Sequence, residues 1–262
     1  MYAARLRPKT RAAGLIAPSS GNHGIALAAQ CFKVPATVVM PTTAPRFKCA
    51  MVEHLGAQVV FAGITTEDRM AMAIRIAQLT GGHIVPPYDH PAIIAGQGTC
   101  GLEIIEDRPP TGTILVPVGG GGLAAGVALA IKARARAAGR EIRLIAVEPE
   151  GAAKLTRALT HGSPVFLEHA ASIADGLLPL AIGTRNYAIL ATLADQVVTV
   201  SDVEISRAMR FLSSREQVTS EPSGAVTTAA LLAGKATLSG DVVAVLSGGN
   251  ISEADLHQHI AN

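Results

Sequence analysis

Thr113-Ile114-Leu115-Val116-Pro117-Val118-Gly119-Gly120-Gly121-Gly122-Leu123 is the stretch on which the reading of this chain turns. The apolar residues 113–116 read as a buried strand, and Ala124-Ala125-Gly126-Val127-Ala128-Leu129-Ala130-Ile131 reads as a helix. Four glycines in a row between them are costly, because glycine loses more backbone freedom on folding than any other residue. In return the backbone can curl around a ligand and turn its N–H groups inward. At a helix N-terminus the aligned peptide dipoles favour an anion there. A tight helix–strand turn is the plainer reading of the same glycines. No Lys-Ser or Lys-Thr follows, so this is not a Walker loop. No acidic residue ends a following strand at the distance of a dinucleotide fingerprint. The stretch points to a phosphorylated ligand of another kind.

The composition around it agrees with an α/β protein. Of 262 residues, 49% are apolar and 16% charged, which marks a globular chain. Aromatic residues make up 3% and Trp is absent, so the core is built from Ala, Val, Leu and Ile, as buried parallel strands require. A formal net charge of +2 gives no reason to expect nucleic acid or an anionic membrane as partner. Cys31, Cys49 and Cys100 are odd in number and lack metal-like spacing, so free thiols packed as small hydrophobes are expected, in a reducing, cytoplasmic setting. No apolar run is long enough to span a bilayer, and the N-terminus lacks a secretory apolar core.

Toward the N-terminus, residues 1–13 look like the back half of a helix. A short strand at 15–17 then runs into Pro18-Ser19-Ser20-Gly21-Asn22-His23-Gly24 and a helix. One Ser or Asn is enough to cap a helix. Two hydroxyls, an amide and an imidazole together point instead to a ligand-binding loop. Strands at 36–40, 58–62 and 83–85 alternate with helices at 46–55 and 66–79, which predicts a doubly wound parallel sheet. Pro86-Pro87-Tyr88-Asp89-His90-Pro91 breaks the pattern and leads to a second domain. There, Gly96-Gln97-Gly98-Thr99 is expected to open a helix over 100–106, and strands are expected at 113–116, 143–147, 196–200 and 242–246. The loops 18–24, 117–123 and 247–250 all follow strands, and ligand loops in such sheets lie outside the strands' carboxyl ends. They are expected to converge on one crevice.

Several separate blocks now carry a resemblance. They are Ser-Ser-Gly-Asn-His-Gly at 19–24, Met-Pro at 40–41 with Lys48 and Gly56-Ala57, Gly-Gln-Gly-Thr at 96–99, the glycine stretch at 116–123, Val-Glu-Pro at 147–149, Ala-Asp-Gly at 174–176, Glu-Pro-Ser-Gly-Ala at 221–225 and Leu-Ser-Gly-Gly-Asn at 246–250. In that order they resemble the serine/threonine dehydratases and serine racemases, pyridoxal-phosphate (PLP) enzymes of the tryptophan synthase β-subunit fold. The resemblance implies an α/β fold of two doubly wound, mostly parallel open sheets flanked by helices. It implies a smaller domain over 14–91 and a larger, phosphate-binding one from 1–13 and 92–262. Gly119, Gly120, Gly121, Gly122 and Leu123 would hold the cofactor phosphate, Asn22 the phenolic oxygen of the pyridine ring and Ser247 the ring nitrogen. Ser19, Ser20, Asn22 and His23 would surround the substrate carboxylate, with Ser20 a candidate acid/base.

The implied reaction is deamination of L-threonine or L-serine to a 2-oxo acid and ammonia, in a homodimer. A racemase or a hydroxyaspartate ammonia-lyase of the same family is the alternative within that chemistry. Two departures stand out. The Schiff-base lysine of the resemblance belongs upstream of residue 19, where this sequence has only Lys9 without the expected neighbours, so the chain reads as N-terminally truncated. A catalytically inactive PLP-fold binding protein is the reading that follows if no such lysine is supplied. Some members also hold a divalent cation with the Glu of the Val-Glu-Pro block and a later Asp. Here Glu148 is present but Lys154 stands at the Asp position, and an ammonium repels a cation, so no metal is expected. His54, His83, His161 and His257 have no motif around them.

Overall fold

Val38 and Met40 point to one side of their strand and Val39 to the other, and all three are fully buried. A strand apolar on both faces needs helices on both faces, which is the condition for a parallel sheet. The computed structural model describes residues 2–19, 21–29 and 33–261. The chain divides after Pro87 into two units, each with such a sheet.

The first unit runs α1 (Tyr2–Arg5), α2 (Pro8–Ala12), β1 (Leu15–Pro18), α3 (Asn22–Ala28), β2 (Ala36–Met40), α4 (Arg46–His54), β3 (Gln58–Phe61), α5 (Thr66–Thr80) and β4 (His83–Ile84). Its strands lie in the order β3-β2-β1-β4, all parallel, with Val38 between Ala17 and Val59. The chain steps outward from β1 to β3, then returns over α5 to pair β4 on the far side of β1. That reversal places α5 on the opposite face from α3 and α4. Ala28, Val38, Met40 and Val52 accordingly form one cluster, and Ile16, Val39 and Ala73 another. Reciprocal capping between Thr65 and Asp68 starts α5, and Gly81 ends it in the left-handed conformation, at φ 71°.

The second unit runs α6 (Pro91–Asp107), β5 (Thr111–Pro117), α7 (Gly122–Ala137), β6 (Arg143–Pro149), α8 (Lys154–His161), α9 (Thr184–Leu193), β7 (Gln196–Val200), α10 (Asp202–Arg215), α11 (Pro222–Leu232), β8 (Asp241–Ala244) and α12 (Glu253–Ala261). Two 3-10 turns, Glu150–Ala152 and Asp175–Leu177, flank α8. The order β7-β6-β5-β8 is again all parallel and reverses at β5. Ile114, Val116, Leu144 and Ala146 pack under α7 and α9, while Leu115, Ile145 and Val147 pack against α10 and α11. The two α/β layers match the expected architecture.

The structure departs from the sequence reading at three places. Residues 2–12 form two short helices, not the end of one, because Pro8 sits at the start of the second. They cluster with the first unit, where the Tyr2 hydroxyl meets His83 Nε2 at 2.6 Å, rather than with the larger one. The block 96–99 lies inside α6 and does not open a helix. Pro91 starts α6, capped by His90 Nδ1, which accepts from the Ala92 N–H. Gly98 and Gly101 serve there as the contact face for α7.

A Cβ on Gly126 would strike the Ile94 carbonyl and lie 2.6 Å from the Gly98 nitrogen. Alanine favours helix over glycine by about 1 kcal/mol, but overpacking of a tight core typically costs about 1–3 kcal/mol. Gly126→Ala is therefore expected to lower the urea midpoint of unfolding despite its better helix propensity. An unchanged or higher midpoint would show that α6 and α7 can separate freely.

Candidate functional site

In a sheet whose strand order reverses, the loops leaving the carboxyl ends of the strands at the reversal diverge and leave a crevice. In the first unit that place belongs to Ser19 and Gly21, which follow β1 between β2 and β4. In the second it belongs to residues 118–121 after β5 and to 245–250 after the neighbouring β8.

The glycine loop is held from behind by its carbonyls. The Gly120 carbonyl accepts the Asn186 amide at 2.8 Å and the Gly183 N–H at 3.1 Å. A trans peptide is planar, so fixing that oxygen turns the Gly121 N–H the opposite way. A Cβ on Gly120 would fall on the Tyr88 ring, and one on Gly122 would lie 3.0 Å from the Tyr88 carbonyl. Gly121 has φ +91°, and a Cβ there would come within 2.9 Å of Asn186. The first helical bond of α7 runs from the Ala125 N–H to the Gly121 carbonyl, so the N–H groups before it have no acceptor within the helix. A curve without side chains, lined by N–H groups at the start of a 16-residue helix, fits a phosphate.

The sequence reading gave Asn186 no role and took Tyr88 and Asp89 only as part of the break between domains. Asp89 accepts from the Thr184 and Arg185 N–H groups, both at 3.1 Å, and so caps α9, which carries Asn186. The Tyr-Asp-His-Pro run was a usable signal for this, since it packs an N-cap and a helix-starting proline beside an acid. Asn186 had none. Its partner Gly120 lies 66 residues away.

Ser247 is exposed in the segment that follows β8. The segment is anchored at Gly248, whose carbonyl accepts the Glu221 N–H at 3.1 Å. In the first unit, Ser19 Oγ accepts from the Gly24 N–H at 3.0 Å and the Gly21 N–H at 3.2 Å. Its hydroxyl shapes the loop from within. Asn22 is exposed in the first turn of α3. His23 Nε2 lies 3.2 Å from the Val85 carbonyl, which can only accept, so this nitrogen carries the proton. Ser20 lies outside the described residues, as does Cys31. Burial pushes the Cys49 and Cys100 thiols above their ordinary range, as inert packed thiols require.

Lys154 is fully buried beside Glu148, Nζ to Oε1 3.4 Å. Glu148 also accepts from the Leu155 and Thr156 N–H groups at 2.8 and 2.9 Å, capping α8. Burial draws the Lys154 ammonium below the usual lysine value, and the Glu148 charge opposes that shift. Among the described residues, no three His, Cys, Asp or Glu side chains are grouped as metal ligands, and no helix is long and apolar enough to cross a membrane.

A family model described as pyridoxal-phosphate dependent enzyme matches residues 1–248. The chain belongs to this family. It is 41% identical over 251 residues to an L-threonine ammonia-lyase of Thermotoga maritima, covering 95% of this chain and 61% of that protein. It is 40% identical over 244 residues to an L-threo-3-hydroxyaspartate ammonia-lyase of a Pseudomonas species, covering 92% and 75%. Among solved structures, maize serine racemase superposes with a TM-score of 0.90 at 34% identity, covering 98% of this chain and 79% of that one. Pyridoxal phosphate is the cofactor of the family, and the glycine loop described above suits its phosphate.

His23 gives a pH test of the first-unit loop. Burial lowers its pKa below the ordinary 6.5, and the bond to Val85 only partly opposes this. As pH falls, the unfolded chain takes up the proton before the folded one. The stability owed to neutral His23 is thus present in full above pH 6.5 and is lost on acidification below it. His23→Gln is expected to flatten this acid limb in denaturation curves taken across the window. An equally steep limb in the variant would assign it to other groups.

Proposed function

We propose that this protein serves PLP-dependent deamination of L-threonine or L-serine to a 2-oxo acid and ammonia. The observation that carries the reading is the side-chain-free N–H curve of residues 119–122 at the strand-order reversal, in a chain of this family. The chain spans 61% of the Thermotoga ammonia-lyase, so the activity of the whole protein is proposed and not transferred. The relatives named as ammonia-lyases support it.

Bound PLP supplies an electron sink for charge developing at the substrate Cα. The residues of this chain would hold and orient it. Gly119, Gly120, Gly121, Gly122 and Leu123 bind the phosphate and so fix the ring. Asn22 donates its amide to the phenolic oxygen. Ser247 would face the ring nitrogen with a neutral hydroxyl, which stabilises a protonated ring less than a carboxylate does. The loop around Ser19, Asn22 and His23 takes the substrate carboxylate, with Ser19 and His23 holding its shape. Ser20 is the proposed acid/base on the second face. The Schiff-base lysine belongs ahead of residue 19. A cytoplasmic homodimer acting on a small hydroxyamino acid, without nucleic acid or membrane, completes the proposal.

Supplied with PLP and a Schiff-base lysine ahead of residue 19, the protein is expected to release 2-oxobutanoate and ammonia from L-threonine in equal amounts. D-serine formed from L-serine would favour the racemase reading, which the likeness to maize serine racemase keeps in view. PLP binding that inorganic phosphate competes away, with no product from threonine, serine or threo-3-hydroxyaspartate, would make it a binding protein. Separately, Asn186→Ala removes one of the two donors that pin the Gly120 carbonyl. The Gly183 N–H remains on that oxygen, and one such bond is worth about 0.5–1.5 kcal/mol net, so PLP affinity is expected to fall roughly two- to tenfold. An unaltered affinity would detach Asn186 from the phosphate loop.

A further inference from the structure

The Lys154 ammonium is a buried charge that the reaction above does not use. Its Nζ donates to the carbonyls of Ala152 at 2.7 Å, Leu177 at 3.1 Å and Val118 at 3.3 Å, and faces Glu148 Oε1 at 3.4 Å. These oxygens come from four places: the end of β6, the two 3-10 turns and the residue just before the glycine loop. A lysine ammonium has three donors and no acceptor, whereas a neutral amine would turn a lone pair on one of these oxygens. The oxygens therefore favour the charged form, against the burial that opposes it. Three carbonyls and a carboxylate around one positive centre are the donor set offered to a hard cation. Here the cation is tied to the backbone by its own stem and cannot dissociate.

Its position relative to the loop matters most. The Val118 carbonyl and the Gly119 N–H share one peptide plane, so the ammonium that pins the first turns the second away from itself. Leu177 belongs to the turn on which the loop rests, since a Cβ on Gly119 would lie 3.1 Å from the Gly176 carbonyl. We propose that Lys154 is a tethered cation that positions the glycine loop, setting the Gly119 N–H toward the ligand phosphate. Its purpose rests on the phosphate reading of that loop. Its hold on the loop does not. Lys154 acts through Val118 and Leu177 and is a positioning residue.

The test uses the whole chain and two variants. Lys154→Met keeps most of the stem without the charge, and Lys154→Ala opens the oxygen cage. Amide hydrogen exchange over residues 118–123 and 176–178, read by mass spectrometry, is expected to speed up about tenfold or more in both. In Lys154→Ala, added ammonium, potassium or calcium ions are expected to restore protection in a saturable way. The wild-type loop should ignore these ions and a chelator. Affinity for inorganic phosphate should follow the same order.

Wild-type protection in Lys154→Met would reduce the residue to packing and overturn the proposal. So would a Lys154→Ala loop that no cation slows, or a wild-type loop whose protection needs an added cation. A wild-type chain that binds no phosphate would sink the cofactor reading, while the exchange data would still judge Lys154. Where Lys154→Ala does not fold, the Met variant and the wild-type ion titration decide.

Discussion

A peptide unit cannot turn its carbonyl without turning the neighbouring N–H, and the second unit is arranged around that constraint. The carbonyls of Val118 and Gly120 are taken by groups behind the loop, Lys154 on one and Asn186 with Gly183 on the other. The N–H groups are thereby committed to the opposite side before any ligand arrives. Side chains at 119–122 would prevent the same backing elements from coming close enough, which is why the run is glycine. Binding then needs little rearrangement, the condition under which oriented N–H groups hold an anion well.

What brings those backing groups together is the parallel topology. Each sheet starts at an inner strand, moves outward and returns to the other side, so each has one reversal with a loop beside it. The alternation of faces along β5 and β6 then fixes which helices lie where. Small residues let them come near: α6 and α7 cross at Gly98, Gly101 and Gly126 with almost no room between backbones. The scarcity of aromatic residues is the same fact seen in composition.

The strands were legible because a run such as 36–40 or 113–116 is apolar on both faces, and few structures tolerate that except a covered parallel sheet. The glycine and Ser-Asn-His loops were legible as motifs. The helix around 96–99 was not, because glycine reads as a breaker locally, while its reason here is the approach of another helix at Gly126. Ser19 shows the same limit at the site. Its type suggested a ligand contact, yet its hydroxyl accepts from Gly21 and Gly24. The neutral state of His23 depends on Val85, and the placement of Asn186 on Gly120, and neither pairing leaves a trace in local sequence. Lys154 was read by its sign alone. A positive charge argues against a second cation, but only the fold shows the four oxygens gathered around it.

With no tryptophan and three tyrosines, the chain is optically sparse. Tyr2 stacks on His83, Tyr187 packs on the core under α7, and Tyr88 lies against Gly120 and Gly122. One of the three natural chromophores thus sits on the wall of the phosphate loop, where local motion alters its surroundings directly. The protein carries an intrinsic spectroscopic reporter at its binding loop, and replacing Tyr2 and Tyr187 by phenylalanine would leave that signal alone.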